Sequence, residues 1–244
     1  MITASNGIAA TITASAVLLA APVAAVDGEI LIDQARVLAG GITAGDAPGF
    51  PATLSRPGRY KLTGNLAVPA TTDGIQVTAH GVTIDLNGFT ISRDSPPDKT
   101  GIVGGKNSLR VINGTIIGFK YGIYPIGAFA VIENMRLIDN RLRAVGAGDY
   151  ARINNNTVLY AIVGIGECNW CSIEQNLITD NSYGVSVGGG MVLGNAIVRS
   201  NLNGLLAYFG PVGYGNNILF ESFQAPVYGP AIQLHPNVCE PVCP

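Results

Sequence analysis

Charge is scarce in this sequence. Asp, Glu, Lys and Arg make up only 12% of its 244 residues, with a formal net charge of −2. Lys and Arg never run together. Nucleic-acid binding needs clustered cations to replace counterions, so that class is excluded, and so is polybasic attachment to a membrane surface. There is one Trp and there are two His. His80 and His235 fall near opposite ends of the repeat described below, which argues against a His-centred acid–base pair. No Gly-rich nucleotide loop, metalloprotease helix or Gly-x-Ser-x-Gly elbow occurs. What the chain does have is apolar residues (48%) and glycine (32 residues). It can therefore bury a large core, and it favours tight turns over long helices. Its length fits one domain or one solenoid.

The N-terminus reads as an export signal. Residues 7–26 carry no charge and include the apolar run Ala16 to Ala21, followed by small residues that place cleavage after Ala25. No Lys or Arg precedes the run, as a typical leader would have. The alternative is an uncleaved membrane anchor, since the stretch is about long enough to span a bilayer. No later segment reads as transmembrane, so the expected location is secreted, periplasmic or in the cell envelope. The four cysteines agree with export. Cys168 and Cys171, and Cys239 and Cys243, form two short-range pairs that can each close a disulfide loop. A shared zinc site of four thiolates is the alternative.

From residue 109 onward one pattern returns, in Leu109–Gly118, Ala130–Asn140, Ala151–Tyr160, Cys171–Asn181, Met191–Ser200 and Val212–Phe220, with an offset earlier copy in Val82–Ile91. Anchors at Gly114, Met135, Asn156, Asn176, Asn195 and Asn217 are 21, 21, 20, 19 and 22 residues apart. That period is too short for helical-pair repeats, and the leucine-rich pattern is missing. β-Branched residues flank an Asn or Gly step, which reads as strand, sharp corner, strand. One such coil cannot bury its apolar side alone, so coils stack in parallel register. Stacking predicts one interior row of Ile132, Ile153, Ile173 and Val192, and another of Leu137, Val158, Ile178 and Ile197. It predicts amide columns at Asn113, Asn134, Asn155 and Gln175, and at Asn156, Asn176 and Asn195.

This repeat resembles that of the right-handed parallel β-helix proteins of the pectate-lyase-like superfamily. It is most similar to exported bacterial β-helix repeat proteins of unassigned function. The resemblance covers about residues 27–244, including Gly58–Leu66 at the start of the coil and Gly215–Asn217 with Pro236–Cys239 in the tail. It implies an all-β, single-stranded solenoid with about seven coils over residues 71–223. An N-terminal cap over 26–70 and a C-terminal cap over 224–244, clipped by Cys239 and Cys243, would close its ends. Many relatives bind or cleave polysaccharide, which is a prior and no more. The catalytic patterns of such enzymes (Gly-His-Gly, Arg-Ile-Lys, Asp-Pro-His) are missing.

Interior positions are committed to packing, so chemistry is expected on outward columns. The first is Phe129, Tyr150 and Trp170, one aromatic per coil, which suits stacking on sugar rings. The second is Asp139, Tyr160, Asp180 and Arg199. Its two Asp stand two coils apart, about 9–10 Å, near the upper limit for an inverting carboxylate pair. The third is Glu133, Asn154 and Glu174 beside Arg152, a candidate base. Two loops interrupt the period, Arg93–Thr100 and Ala207–Tyr214. Each column also has an architectural reading, as packed rings or a solvated face. The expectation is a monomeric exported protein that binds polysaccharide or another envelope surface without catalysis. A lyase, epimerase or hydrolase with an atypical acidic site is the alternative, and a structural spacer or adhesion stalk the third. No cofactor or metal is expected, with calcium entering only for a lyase.

Overall fold

The computed structural model describes residues 28–93, 98–125, 127–240 and 243. The expected leader and part of the Arg93–Thr100 loop lie outside them. The chain is a parallel β-solenoid with three ladders. The first ladder starts with Glu29–Ile32 and Gly58–Leu62 and ends with Ala231–Gln233. The second runs from Leu66–Ala67 to Val238–Cys239. The third runs from Ala52–Leu54 to Ala225–Tyr228 and holds nine strands. Strands Arg110–Ile117 and Val131–Ile138 pass unbroken through the corner between the first two ladders, which fuses those into one 17-stranded sheet.

There are thus about nine turns, not seven. The segments expected as caps supply rungs themselves: Glu29–Ile32 pairs with Gly58–Leu62, and Ala231–Gln233 pairs with Val212–Gly215. The repeat is hidden at the start because a helix, Gln34–Ala39, interrupts the first turn. Asp33 caps that helix by accepting from the Arg36 N–H, and Val37 buries its inner side. The strand Glu29–Ile32 and this helix thus follow one another directly within the segment expected as the N-terminal cap.

Both interior rows form in register. Ile132, Ile153, Ile173 and Val192 pair in order, as do Leu137, Val158, Ile178 and Ile197, and all are buried. The first amide column, Asn113, Asn134, Asn155 and Gln175, sits at left-handed φ of 54–61°. Asn tolerates that conformation because its short polar side chain bonds locally. The second column is buried from Asn156 to Asn217, and it is longer than expected, reaching the half-buried Asn237. Asn176, Asn195, Asn217 and Asn237 each accept from both the backbone N–H and the side-chain amide of the Asn one coil before. This satisfies corner N–H groups that face the core and would otherwise be stranded.

Candidate functional site

The three outward columns exist, and they point in three directions. Register puts Phe129, Tyr150 and Trp170 at the corner entering the first ladder. Asp139, Tyr160, Asp180 and Arg199 stand at the corner leaving the second ladder. Glu133, Asn154 and Glu174 lie on the outer face of the first ladder. A ligand chain on the aromatic corner therefore does not meet the aspartates.

The aromatic corner is the most exposed of the three. Phe129, Tyr150 and Trp170 are 54%, 52% and 58% exposed and have φ of 63°, 59° and 59°. Bulky residues rarely adopt left-handed φ, so all three rings stand at a backbone position that costs stability. The first two are tied along the stack: the Phe129 N–H donates to Asp149 O and the Tyr150 N–H to Asn169 O, both at 2.9 Å. The rings of Phe129 and Tyr150 stack, with centroids 5.3 Å apart and planes 15° apart. Asp149 Oδ1 accepts from both the N–H and the Nδ2 of Asn169, locking the two turns that precede Tyr150 and Trp170.

The aspartate corner is built for charge pairing. Arg199 Nε and Nη2 each donate to one oxygen of Asp180 at 2.6 Å, and the Thr179 hydroxyl donates to the same carboxylate. The Arg199 contact holds the Asp180 carboxyl below its ordinary value. A general acid needs the opposite shift. Tyr160 occupies the coil between Asp139 and Asp180. On the first ladder, Arg110 pairs with Glu133 at 2.6 Å, and the Ser172 hydroxyl donates to Glu174. Arg152, Asn154, Ser172 and Glu174 line a shallow depression there.

A further polar cluster lies on the third ladder. The Arg143 guanidinium pairs with Glu167. The Tyr124 hydroxyl bonds to the same carboxylate, and that bond, with burial, raises the Tyr124 pKa. The Tyr124 ring and the Arg143 side chain lie over Gly146, which a Cβ would not permit. Tyr208, whose pKa burial raises, is in the field of Glu167, Arg143 and Asp149. Sequence reading missed Tyr124, Arg143 and Glu167. A signal for Tyr124 and Arg143 lay in the third ladder, whose residues share columns by register: Tyr121, Arg143, Val163 and Tyr183 in one, and Tyr124, Gly146, Gly166 and Ser186 in another.

The cysteines stand as two pairs within disulfide reach, with Cα–Cα distances of 6.0 Å for Cys168 and Cys171 and 5.3 Å for Cys239 and Cys243. Among the described residues, no three His, Cys, Asp or Glu side chains gather as a metal-ion set, so the four thiols do not form the alternative zinc site. Among those residues, too, no helix is long and apolar enough to cross a membrane. No family model, curated protein or solved structure matches the chain.

Proposed function

We propose that this chain is an exported, monomeric polysaccharide-binding β-solenoid, without catalysis, that engages its ligand along the corner of Phe129, Tyr150 and Trp170. The observation that carries this reading is three large rings, each more than half exposed, on consecutive coils of a rigid stack. Burial would explain an isolated ring, but not a column held outward at left-handed φ. Phe129 and Tyr150 cover one face of each other, and the ring surface left exposed, one ring per coil, offers apolar contact to successive sugar units. The right-handed, pectate-lyase-like kinship suggested by the repeat belongs to the same reading. So does export through residues 1–25, which the two cysteine pairs support.

The absence of catalysis rests on Asp180. Its carboxylate is committed to Arg199 and its pKa is lowered, so it does not suit the acid of a hydrolase. The test is co-sedimentation with insoluble cellulose, chitin and xylan, and affinity electrophoresis in pectate and alginate. Asn tolerates the corner φ, so Tyr150→Asn with Trp170→Asn removes the rings and keeps the turn. Binding in the wild type that falls about tenfold or more in this variant is expected, given the energy of ring stacking. Binding that is unchanged, or new unsaturated or reducing ends in the wild-type mixture, would overturn the reading.

A further inference from the structure

A cavity of about 390 Å³ opens at the corner leaving the second ladder, lined by Arg199, Ser200, Asn201, Glu221, Ser222 and Phe223. Its backbone is tied along the stack. The Arg199 N–H donates to Phe220 O at 3.0 Å, the Asn201 N–H to Asn181 O at 2.8 Å and the Phe223 N–H to Ser200 O at 3.1 Å. The last of these bonds sets Phe223 beside Asn201, one coil apart. Phe223 is 86% exposed. A lone exposed ring needs no explanation, but this one borders a cavity that holds a carboxylate, an amide and hydroxyls.

What the cavity can hold follows from its charges. Arg199 is the only cation among its lining residues. Asp180 engages the Nε and Nη2 of that guanidinium, and Glu221 is a second acidic neighbour. An anion would have to compete with two carboxylates, and a cation would face the guanidinium. A neutral, hydroxyl-rich molecule meets neither penalty. It finds an acceptor in Glu221, a donor and an acceptor in the Asn201 amide, and an apolar platform in Phe223. A pyranose ring has this make-up, and the volume is in the range of small-molecule sites. Tyr160, 56% exposed, stands on the same corner two coils before Arg199, so a second ring continues the track along the stack.

The third ladder separates this corner from the aromatic one. Its strand Asn203–Ala207 leads from the cavity's turn to the next turn of the aromatic corner. Five residues of strand span about 17 Å, so the two corners are parallel tracks at about that separation.

We infer that this cavity is a second saccharide site, for a neutral chain, and that the protein holds two chains side by side and bridges them. This rests on the polysaccharide reading above, which places the first chain along Phe129, Tyr150 and Trp170.

Trp170 is the only tryptophan in the sequence, so its emission reports the first corner alone, whereas calorimetry counts both sites. The experiment titrates the full chain with hexasaccharides of β-1,4-glucose, β-1,4-xylose and β-1,4-N-acetylglucosamine, and with one of α-1,4-galacturonate as the charged control. Expected are two sites for at least one neutral hexasaccharide. Phe223→Ala, at a position too exposed to disturb the fold, should weaken one site about tenfold and leave the Trp emission change intact. Tyr150→Asn with Trp170→Asn should remove the other site. The wild type should raise the light scattering of the matching polymer (hydroxyethylcellulose, soluble xylan or glycol chitin), and each variant should bind that polymer without doing so. A single site, lost in the Tyr150→Asn, Trp170→Asn variant and untouched by Phe223→Ala, would overturn the second track and leave the corner reading standing. A single site lost only in Phe223→Ala would overturn the bridging and the corner reading together, as would no binding at all. Galacturonate binding that depends on Phe223 would overturn the neutral ligand.

Discussion

Asn156 and Asn176 are bonded twice through one atom. Oδ1 of Asn176 accepts from the Asn156 backbone N–H at 2.9 Å and from its Nδ2 at 3.0 Å. Nδ2 of Asn176 in turn donates to Ile153 O and to Asn195 Oδ1, both at 2.9 Å. Asn176→Ala would strand a buried N–H and a buried carbonyl, so it should destabilise the chain by about 3 kcal/mol in urea unfolding. Asn176→Asp keeps the acceptor but loses the donor and sets a carboxylate against Asn195 Oδ1, so it should not rescue. Asn134→Ala, at an exposed corner of left-handed φ, should cost about 1 kcal/mol. Equal losses for Asn176→Ala and Asn134→Ala would refute a special role for the inner ladder.

Much of this fold was legible because a solenoid repeats its physics. Ile132, Ile153 and Ile173 recur at one position, and each copy reinforces the register of the others. The first turns were less legible. There Tyr60 and Leu62 alternate with Arg59 and Lys61 as in any half-buried strand, and the helix after Glu29–Ile32 breaks the period. The aromatic corner was legible as an outward column, because the interior rows of these coils are filled by aliphatic residues, but that it shares no face with the aspartates was not. The Tyr124–Arg143–Glu167 cluster joins three coils through side chains whose reach no spacing encodes.

The ion pair at the second corner should appear in the acid limb of stability. Arg199 lowers the Asp180 pKa in the folded chain. A carboxyl depressed on folding contributes stability that is fully present above its unfolded value, about 3.9, and is lost as pH falls through the folded value. Asp180→Asn should therefore be less stable than wild type at neutral pH, and the gap should close below about pH 4. The effect should be small and shrink in added salt, because the guanidinium is solvent-exposed. Denaturant midpoints across pH and salt measure it, and a gap that persists in acid would contradict the pairing.

Tyr124 should titrate late. The Glu167 carboxylate accepts its proton in a hydrogen bond and opposes a second negative charge beside it, and burial acts in the same direction. The phenolate ultraviolet signal lost in Tyr124→Phe should therefore rise above the ordinary tyrosine range, and Glu167→Gln should move it down. A group raised on folding stabilises the chain below its unfolded value, about 10, and the contribution is lost as pH rises through the folded value. Glu167→Gln should thus narrow the alkaline stability difference between wild type and Tyr124→Phe. A Tyr124 titration insensitive to Glu167 would break the proposed triad with Arg143.

The Cys168 and Cys171 pair brackets Asn169 and Trp170, so it should govern the corner as much as the fold. Both cysteines are buried in the core. Closing so short a loop restricts few unfolded conformations, and replacing both by Ser should cost about 2 kcal/mol from the loop term. The larger change should be local. Without the staple, the left-handed turn at Trp170 depends on its backbone bonds alone, so its fluorescence should become more accessible to acrylamide in conditions where the far-ultraviolet spectrum is unchanged. Native protein should show no thiol reactive to Ellman's reagent until it is denatured and reduced. Trp170 quenching that is identical with and without the cysteine pair would show that the turn holds itself, and that the pair matters only for stability.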